Sequence, residues 1–191
     1  MNLIQAIEIF AFATGIAYVI LEILQKNTMW IVGILTGAAC AYSFAVQSLY
    51  ASMGLNIYYV IVSFIGLYQW KKASATVSDG AIHLAVLPKK TIWISAAVFV
   101  LGSAALIALL HLIGDSESGM DAIVTVLSAI GTWWLAKSYP QQWLIWIVAD
   151  ILSTVLCLIS GLYWMGGLYL VYAASAVYGY IHWHRHGEYI G

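Results

Sequence analysis

The chain has 191 residues, of which 63% are hydrophobic and only 8% are charged. A soluble globular domain typically has about 25% charged residues, so this composition excludes that class and predicts a polytopic membrane protein. The formal net charge of −1 provides no basic surface, so no nucleic-acid partner is expected. Cys40 and Cys157 each lie in an apolar stretch, which indicates small buried thiols and neither a disulfide nor a metal site.

The chain contains seven apolar stretches, and about 20 residues are needed to cross a membrane. They cover residues 3–24, 28–48, 54–70, 91–112, 120–137, 141–159 and 162–183. The one long connection, residues 71–90, is polar and has a lysine pair at each end. We therefore predict an all-α fold, a single transmembrane domain over residues 1–191 with seven helices.

The positive charges indicate how the helices are oriented. With seven helices, every Lys and Arg falls on the side that also holds the C-terminus: Lys26, Lys71, Lys72, Lys89, Lys90, Lys137 and Arg185. Because Lys and Arg accumulate in cytoplasmic loops, the C-terminus is expected in the cytoplasm and the N-terminus outside.

Two segments of the chain are similar to each other. Residues 48–70 and 161–183 align without gaps at an offset of 113, which pairs Gly66 with Gly179 and Trp70 with Trp183, and the same offset pairs Trp30 with Trp143. We predict two parallel three-helix repeats, 1–70 and 120–183, separated by a loop and linker helix at 71–112. Such 3+1+3 repeats are typical of transporters, with the substrate site between the repeats.

The sixth stretch carries the strongest candidate site. Trp143, Trp146 and Asp150 are spaced i, i+3, i+7 and share one helix face. A carboxylate near the bilayer midplane usually marks a function, and indole rings with an anion suit a flat organic cation. The alternative is that the tryptophans are interfacial residues and that Asp150 pairs with a neighbouring helix.

These segments resemble a known family. The runs LYASMGLNIYYVIVSFIGLYQW (49–70), WLIWIVAD (143–150) and GLYWMGGLYLVYAASAVYGYIHW (161–183) resemble the PnuC family of bacterial vitamin transporters, which is similar to the SWEET proteins in helix arrangement. The resemblance implies a multi-pass protein of the bacterial inner membrane that works by facilitated diffusion. It also implies cargo trapping by a cytoplasmic kinase, association as a homotrimer, no cofactor and no enzymatic activity. The expected partners are a small vitamin and membrane lipid.

The resemblance implies a pocket at the bundle centre. Besides the three residues of the sixth span, its candidate residues are Asn56, Tyr59, Ser63, Tyr169, Tyr172 and Gly37. Gly33 and Gly37 form a GxxxG pattern whose usual meaning is close helix packing, although Gly37, the repeat equivalent of Asp150, would also leave room for a ligand. Glu8 and Gln47 are candidate gate residues or simply outer-leaflet polar groups. Asp150 and Glu8 are the only acids that the pattern places deep enough to carry a proton.

The run NIYY at Asn56–Tyr59 resembles the thiamin-transporting branch of the family, called PnuT, so the resemblance implies thiamin as the cargo, with nicotinamide riboside as the alternative. Both are flat cations, whereas riboflavin is neutral and Asp150 argues against it. Other classes fit less well. An enzyme needs a nucleophile with a base, or a metal cluster, and a retinal receptor needs a lysine in the last span. An accessory subunit would not explain a midplane carboxylate.

Overall fold

The computed structural model describes residues 3–46, 50–78, 80–112, 118–161 and 163–190, and it leaves the helical side chains of residues 3–9, 11, 50–52, 118 and 164 undescribed. Within these ranges the chain forms seven helices and two short strands. The helices are α1 (Leu3–Ile23), α2 (Thr28–Val46), α3 (Tyr50–Ala73), α4 (Lys89–Leu112), α5 (Ser118–Ala136), α6 (Gln142–Ile159) and α7 (Tyr163–His186), and the strands are β1 (Ile82–Leu84) and β2 (Gly187–Tyr189).

Within the described residues, each of the seven predicted spans contains one helix. The largest difference is α3, which begins four residues before the predicted span and continues through Lys71 and Lys72. In the described part of the chain, four helical segments are long and apolar enough to cross a membrane by themselves: Thr28–Val46, Lys89–Leu112, Gly119–Ala136 and Gln142–Ile159. Large apolar side chains such as Trp93 and Leu112 remain exposed on the outside of the bundle. These features indicate a multi-pass membrane protein whose outer surface faces lipid.

Six helices form a ring and the seventh lies outside it. α2 packs between α1 and α3, α6 packs between α5 and α7, and the two groups meet where α3 contacts α5 and where α1 contacts α7. α4 packs against α5, and its buried residues are only Ser103 and Leu110. The ring therefore surrounds the centre of the molecule, while α4 covers one side.

The turn between α1 and α2 has the same hydrogen bonds as the turn between α5 and α6. Gln25 and Ser138 adopt positive φ angles of 47° and 60°, a conformation that is uncommon for residues other than glycine. The amide of Lys26 donates to Leu21 O, and the amide of Tyr139 donates to Trp134 O. Each of these positions is 113 residues from its counterpart, which is the offset of the sequence repeat. Whether the two three-helix groups superpose as a whole stays a prediction.

Four tryptophans join the two groups of helices. Trp30, Trp70, Trp143 and Trp183 are at most 2% exposed, and neighbouring rings meet edge to face at centroid distances of 5.0 to 6.1 Å. We call these residues the tryptophan quartet. The indole N–H of Trp70 donates to Leu135 O at 3.1 Å, and that of Trp183 donates to Ile23 O at 3.1 Å. Each helix group thus donates a hydrogen bond to the other.

Close packing of this quartet depends on glycine. A Cβ at Gly66 would lie 2.5 Å from the Trp30 ring, and one at Gly179 would lie 2.6 Å from the Trp143 ring. Because real Cβ atoms do not approach carbon that closely, both positions leave the space that an indole needs. The two pairs are equivalent under the offset of 113.

The connection between α3 and α4 is more ordered than its polar sequence predicts. β1 lies within it, and Ile82, His83 and Leu84 are all at most 4% exposed. β1 pairs in parallel with β2, so that Ile82 faces Gly187 and Leu84 faces Tyr189. We call this pair the terminal clasp. Ile82 and Leu84 belong to the same apolar cluster as the tryptophan quartet, so the clasp closes the end of the bundle that carries the Lys and Arg residues.

Candidate functional site

A cavity of about 410 Å³ lies at the centre of the six-helix ring. This volume is within the range of sites for small molecules, about 300–1,000 Å³. Residues from α1, α2, α3, α5, α6 and α7 form its wall, so α4 does not contribute. The wall consists of Thr14, Gly15, Tyr18, Val19, Glu22, Gly33, Thr36, Gly37, Asn56, Tyr59, Ser63, Val124, Ser128, Thr132, Trp143, Trp146, Ala149, Asp150, Ser153, Tyr169, Tyr172 and Ala176.

All nine residues predicted to bind substrate lie in this wall. They come from four helices: Gly37 from α2; Asn56, Tyr59 and Ser63 from α3; Trp143, Trp146 and Asp150 from α6; and Tyr169 and Tyr172 from α7. The structure thus brings together residues that are more than 100 positions apart in the sequence. Their role in binding stays a prediction.

Helix α6 supplies the face with two indoles and a carboxylate. It begins after the turn at Ser138 and Pro140, where Gln141 takes the N-cap position without a side-chain hydrogen bond. Trp143 is 2% exposed, so the alternative interpretation of this residue as an interfacial tryptophan is wrong. Its ring is both part of the quartet and part of the cavity wall. Trp146 lies next to Gly131 of α5, where a Cβ would be 3.3 Å from the indole.

Asp150 faces the cavity without a compensating cation. The residue is 8% exposed, and its side chain makes no hydrogen bond or ion pair to another described residue. Its backbone carbonyl accepts a hydrogen bond from Thr154 Oγ1 at 2.8 Å. Among the described residues that form the cavity wall there is no Lys or Arg. The alternative in which Asp150 is held by a neighbouring helix therefore finds no support among the described residues, and the site has a negative charge available for a cation.

The cavity wall is rich in hydroxyl groups. Tyr169 and Tyr172 of α7 lie edge to face at 6.2 Å, and the Tyr172 hydroxyl is 3.2 Å from the position of a Cβ at Gly15. Thr36 Oγ1 donates to Thr14 Oγ1 at 2.8 Å. In total ten of the wall residues are Ser, Thr or Tyr. Hydroxyls both donate and accept hydrogen bonds, so this wall suits a cargo with several polar groups.

Gly37 serves two purposes that the sequence left open. A Cβ at this position would lie 2.9 Å from Val60 of α3, and one at Gly33 would lie 3.0 Å from Ser63 Oγ. The GxxxG pattern therefore lets α2 approach α3 closely. Both glycines also form part of the cavity wall.

The two gate candidates cannot be placed. Gln47 and the side chain of Glu8 lie outside the described residues, so their roles stay predictions. Among the residues that are described, no group of three His, Cys, Asp or Glu comes together in a way that would hold a metal ion.

The contribution of α1 is missing from the predicted site. Thr14, Tyr18 and Glu22 line the cavity, and Glu22 is only 4% exposed. The expectation that Asp150 and Glu8 are the only deep acids is therefore wrong. Spacings of four residues put these three polar side chains on one stripe of an otherwise apolar helix, and this stripe was a signal that could have identified them.

The chain is similar to proteins of known activity. A family model described as nicotinamide mononucleotide transporter matches residues 5–185. The nicotinamide riboside transporter PnuC of Neisseria mucosa is 28% identical over 91% of this chain and 70% of its own length. The PnuC protein of Escherichia coli is 21% identical over 93% of this chain and 84% of its own length.

A solved structure agrees with these sequence matches. The crystal structure of the vitamin B3 transporter PnuC matches with a TM-score of 0.70 and 28% identity, covering 93% of this chain and 82% of that one. These relatives are transporters, so the chain is a membrane transporter and not an enzyme. It belongs to the nicotinamide mononucleotide transporter family, which is the PnuC family that its sequence resembles.

Proposed function

We propose that this chain transports nicotinamide riboside, a flat pyridinium cation that carries a ribose. The observation that carries this proposal is the cavity itself, where two indoles and Asp150 face a space without any Lys or Arg. A pyridinium ring is expected to stack on the indoles and to be attracted by the carboxylate. The relatives named as nicotinamide riboside transporters support the same cargo.

The expectation that favoured thiamin is not supported. It rested on the run at Asn56–Tyr59, whereas the relatives from Neisseria mucosa and Escherichia coli are named for nicotinamide riboside. The hydroxyl-rich wall points in the same direction, because a ribose offers several hydroxyl groups and thiamin offers one. Nicotinamide riboside, which the sequence left as the alternative, is therefore the cargo that we propose.

We propose a mechanism of facilitated diffusion, in which the repeats 1–70 and 120–183 move relative to each other around the cavity. Parallel repeats with a site between them are a known transporter design. The matching turns at Gln25 and Ser138 and the crossed hydrogen bonds of the tryptophan quartet support this arrangement. In this scheme the N-terminus is outside, the clasp faces the cytoplasm of a bacterial cell, and phosphorylation by a cytoplasmic kinase traps the cargo. Association as a trimer is part of the same expectation.

Binding measurements on the purified protein test the cargo. Calorimetry with nicotinamide riboside, thiamin and riboflavin should give the highest affinity for nicotinamide riboside. Asp150→Asn keeps the shape but removes the charge, and loss of one partner of a desolvated charge contact costs about 2–5 kcal/mol, or roughly 30-fold or more in affinity. Trp146→Ala should cost about 1–3 kcal/mol through lost stacking.

Thermal stability provides the control for these variants. A purely structural Asp150 would give an Asp150→Asn protein that melts at a lower temperature but binds normally. Unchanged affinity in a folded Asp150→Asn protein would contradict the cation site. Tighter binding of thiamin than of nicotinamide riboside would contradict the proposed cargo but leave the cation site intact.

A further inference from the structure

A second carboxylate, Glu22, faces the same cavity from α1. It lies in the last turn of that helix, and its side chain is 96% buried because only 4% of the residue is exposed. The indole N–H of Trp183 donates to the Glu22 backbone carbonyl at 3.3 Å, so this end of α1 is tied to α7. An acidic side chain inside a membrane bundle is costly and usually has a function.

The polar atoms around Glu22 lack partners. Glu22 Oε1 has no hydrogen bond to any described residue, and the same holds for both amide atoms of Gln142. The Gln142 side chain lies next to the Glu22 carboxyl, but Gln142 is fully buried behind the wall and does not line the cavity. Buried polar groups are nearly always hydrogen-bonded, so Glu22 Oε1, which belongs to a residue of the cavity wall, can accept a hydrogen bond from a ligand.

The distance between Glu22 and Asp150 along the cavity can be derived from α6, because Gln142 of this helix lies beside Glu22. Gln142, beside Glu22, precedes Asp150 by eight residues, which is about 12 Å along a helix axis. Trp143 and Trp146 lie between these two levels on the cavity-facing side of α6. A cation whose ring stacks on this indole face with its charge near Asp150 can therefore reach Glu22 with a substituent of the ring.

We propose that Glu22 binds the hydroxyl groups of the cargo. A carboxylate only accepts hydrogen bonds, and two oxygens can accept from two neighbouring hydroxyls of a sugar. Glu22 thus selects for a cation with a hydroxylated substituent, while Asp150 and the indoles recognise the charged ring. This inference rests on the proposed function, because it concerns the same cavity and the same cargo.

A crossed comparison of two proteins and two ligands tests the inference. The ligands are nicotinamide riboside and its 2′,3′-dideoxy analogue, which keeps the pyridinium and the sugar ring but lacks the neighbouring hydroxyls. The wild type should bind the analogue at least about tenfold more weakly, since a hydrogen bond to a charged group is worth that much or more. In Glu22→Gln the affinity for nicotinamide riboside should fall by a similar factor, and the two ligands should then bind almost equally.

Two further variants separate the roles of the carboxylates. Asp150→Asn should weaken both ligands by the same factor, because both keep the cation. Glu188→Gln, which removes an exposed carboxylate outside the cavity, should change neither affinity. Glu22→Asp keeps the charge but shortens the side chain, so it should lose discrimination between the ligands even where Glu22→Gln protein is too unstable to purify.

The outcomes distinguish this inference from the proposed function. If the wild type binds neither ligand, the proposed cargo is wrong. If the wild type binds both ligands equally, or if Glu22→Gln retains the wild-type preference for the hydroxylated ligand, Glu22 does not bind the hydroxyls. An equal loss of both ligands in Glu22→Gln would make Glu22 a second site for the positive charge and would also overturn the proposal.

Discussion

Acidification should open the terminal clasp through His83. This residue is 2% exposed and is held from two sides. Its backbone N–H donates to Gln25 Oε1 at 2.7 Å, its carbonyl accepts from Gln25 Nε2 at 2.9 Å, and its Nδ1 lies 2.9 Å from Ser138 Oγ. The ring also meets the Trp70 ring edge to face at 5.4 Å. Gln25 and Ser138 are the two residues with positive φ, so His83 connects the two equivalent turns.

The loss of folding stability at low pH follows from the pKa of the His83 imidazole. Burial lowers the pKa of His83 from its ordinary 6.5 to about 4, so the neutral ring is favoured in the folded protein. The stability that depends on the neutral ring is complete above pH 6.5 and is lost as the pH falls towards 4. When His83 is fully protonated, the free energy of unfolding is lower by about 3 kcal/mol, which corresponds to the lowering of its pKa. Two charged residues of neighbouring segments have other partners: Glu188, opposite His83 in the clasp, accepts hydrogen bonds from Ser78, and Lys137 lies over the Trp133 ring.

The assay is thermal unfolding in detergent between pH 4 and pH 8. His83→Phe keeps a ring of similar size but cannot bind a proton, so its melting temperature should vary less with pH than that of the wild type. At neutral pH it should be less stable by about 1–3 kcal/mol, because the buried Ser138 hydroxyl loses its partner. His184→Phe is the matched control, since His184 is exposed on the end of α7. Equal acid sensitivity of wild type and His83→Phe would refute the argument.

Three further predictions follow from the packing and the charge pattern. Gly179→Ala should destabilise the protein by about 1–3 kcal/mol because its Cβ would meet the Trp143 ring. Gly167→Ala is the control and should be neutral or slightly stabilising, because a Cβ there has nothing within 4 Å. The melting temperatures of the two variants test this prediction. Cysteine introduced at Ala75, with the native cysteines replaced, should react with an impermeant reagent only after the cells are opened, and labelling of intact cells would reverse the topology. Transport in liposomes should follow the cargo gradient alone, and accumulation driven by an imposed pH gradient would show that Glu22 or Asp150 carries a proton.

The sequence predicts the α6 half of the site better than the α1 half, for a physical reason. Asp150 is conspicuous because a charge in the middle of an apolar stretch has no lipid-facing position. Glu22 is close to Lys26 and to the helix end, where an acid is expected to reach water, so the pattern alone gives no cause to place it inside. Its burial arises because Trp183 and Gln142 cover the end of α1, and these contacts between distant segments have no local signature.

The clasp was missed for a similar reason. The lysine pairs at both ends of residues 71–90 predict a polar connection. Within it, however, residues 81–88 read AIHLAVLP and contain only one polar side chain, His83. Such a short apolar run has no period that distinguishes a strand from a loop. What makes it a strand is the partner strand β2, which lies beyond the last helix. The repeat, in contrast, was visible because large side chains recur at one offset.

The parallel pairing of β1 with β2 has a consequence for biogenesis. β1 leaves the ribosome when only three helices have been made, and its partner is synthesised after the remaining four. During this interval Ile82 and Leu84 have no strand to pair with, and the turn at Ser138 that contacts His83 is made only after α5. The clasp can therefore form only after α7 has been synthesised, when β2 pairs with β1. Variants that weaken the pairing of β1 with β2 should therefore still insert all seven helices but leave this end of the bundle open.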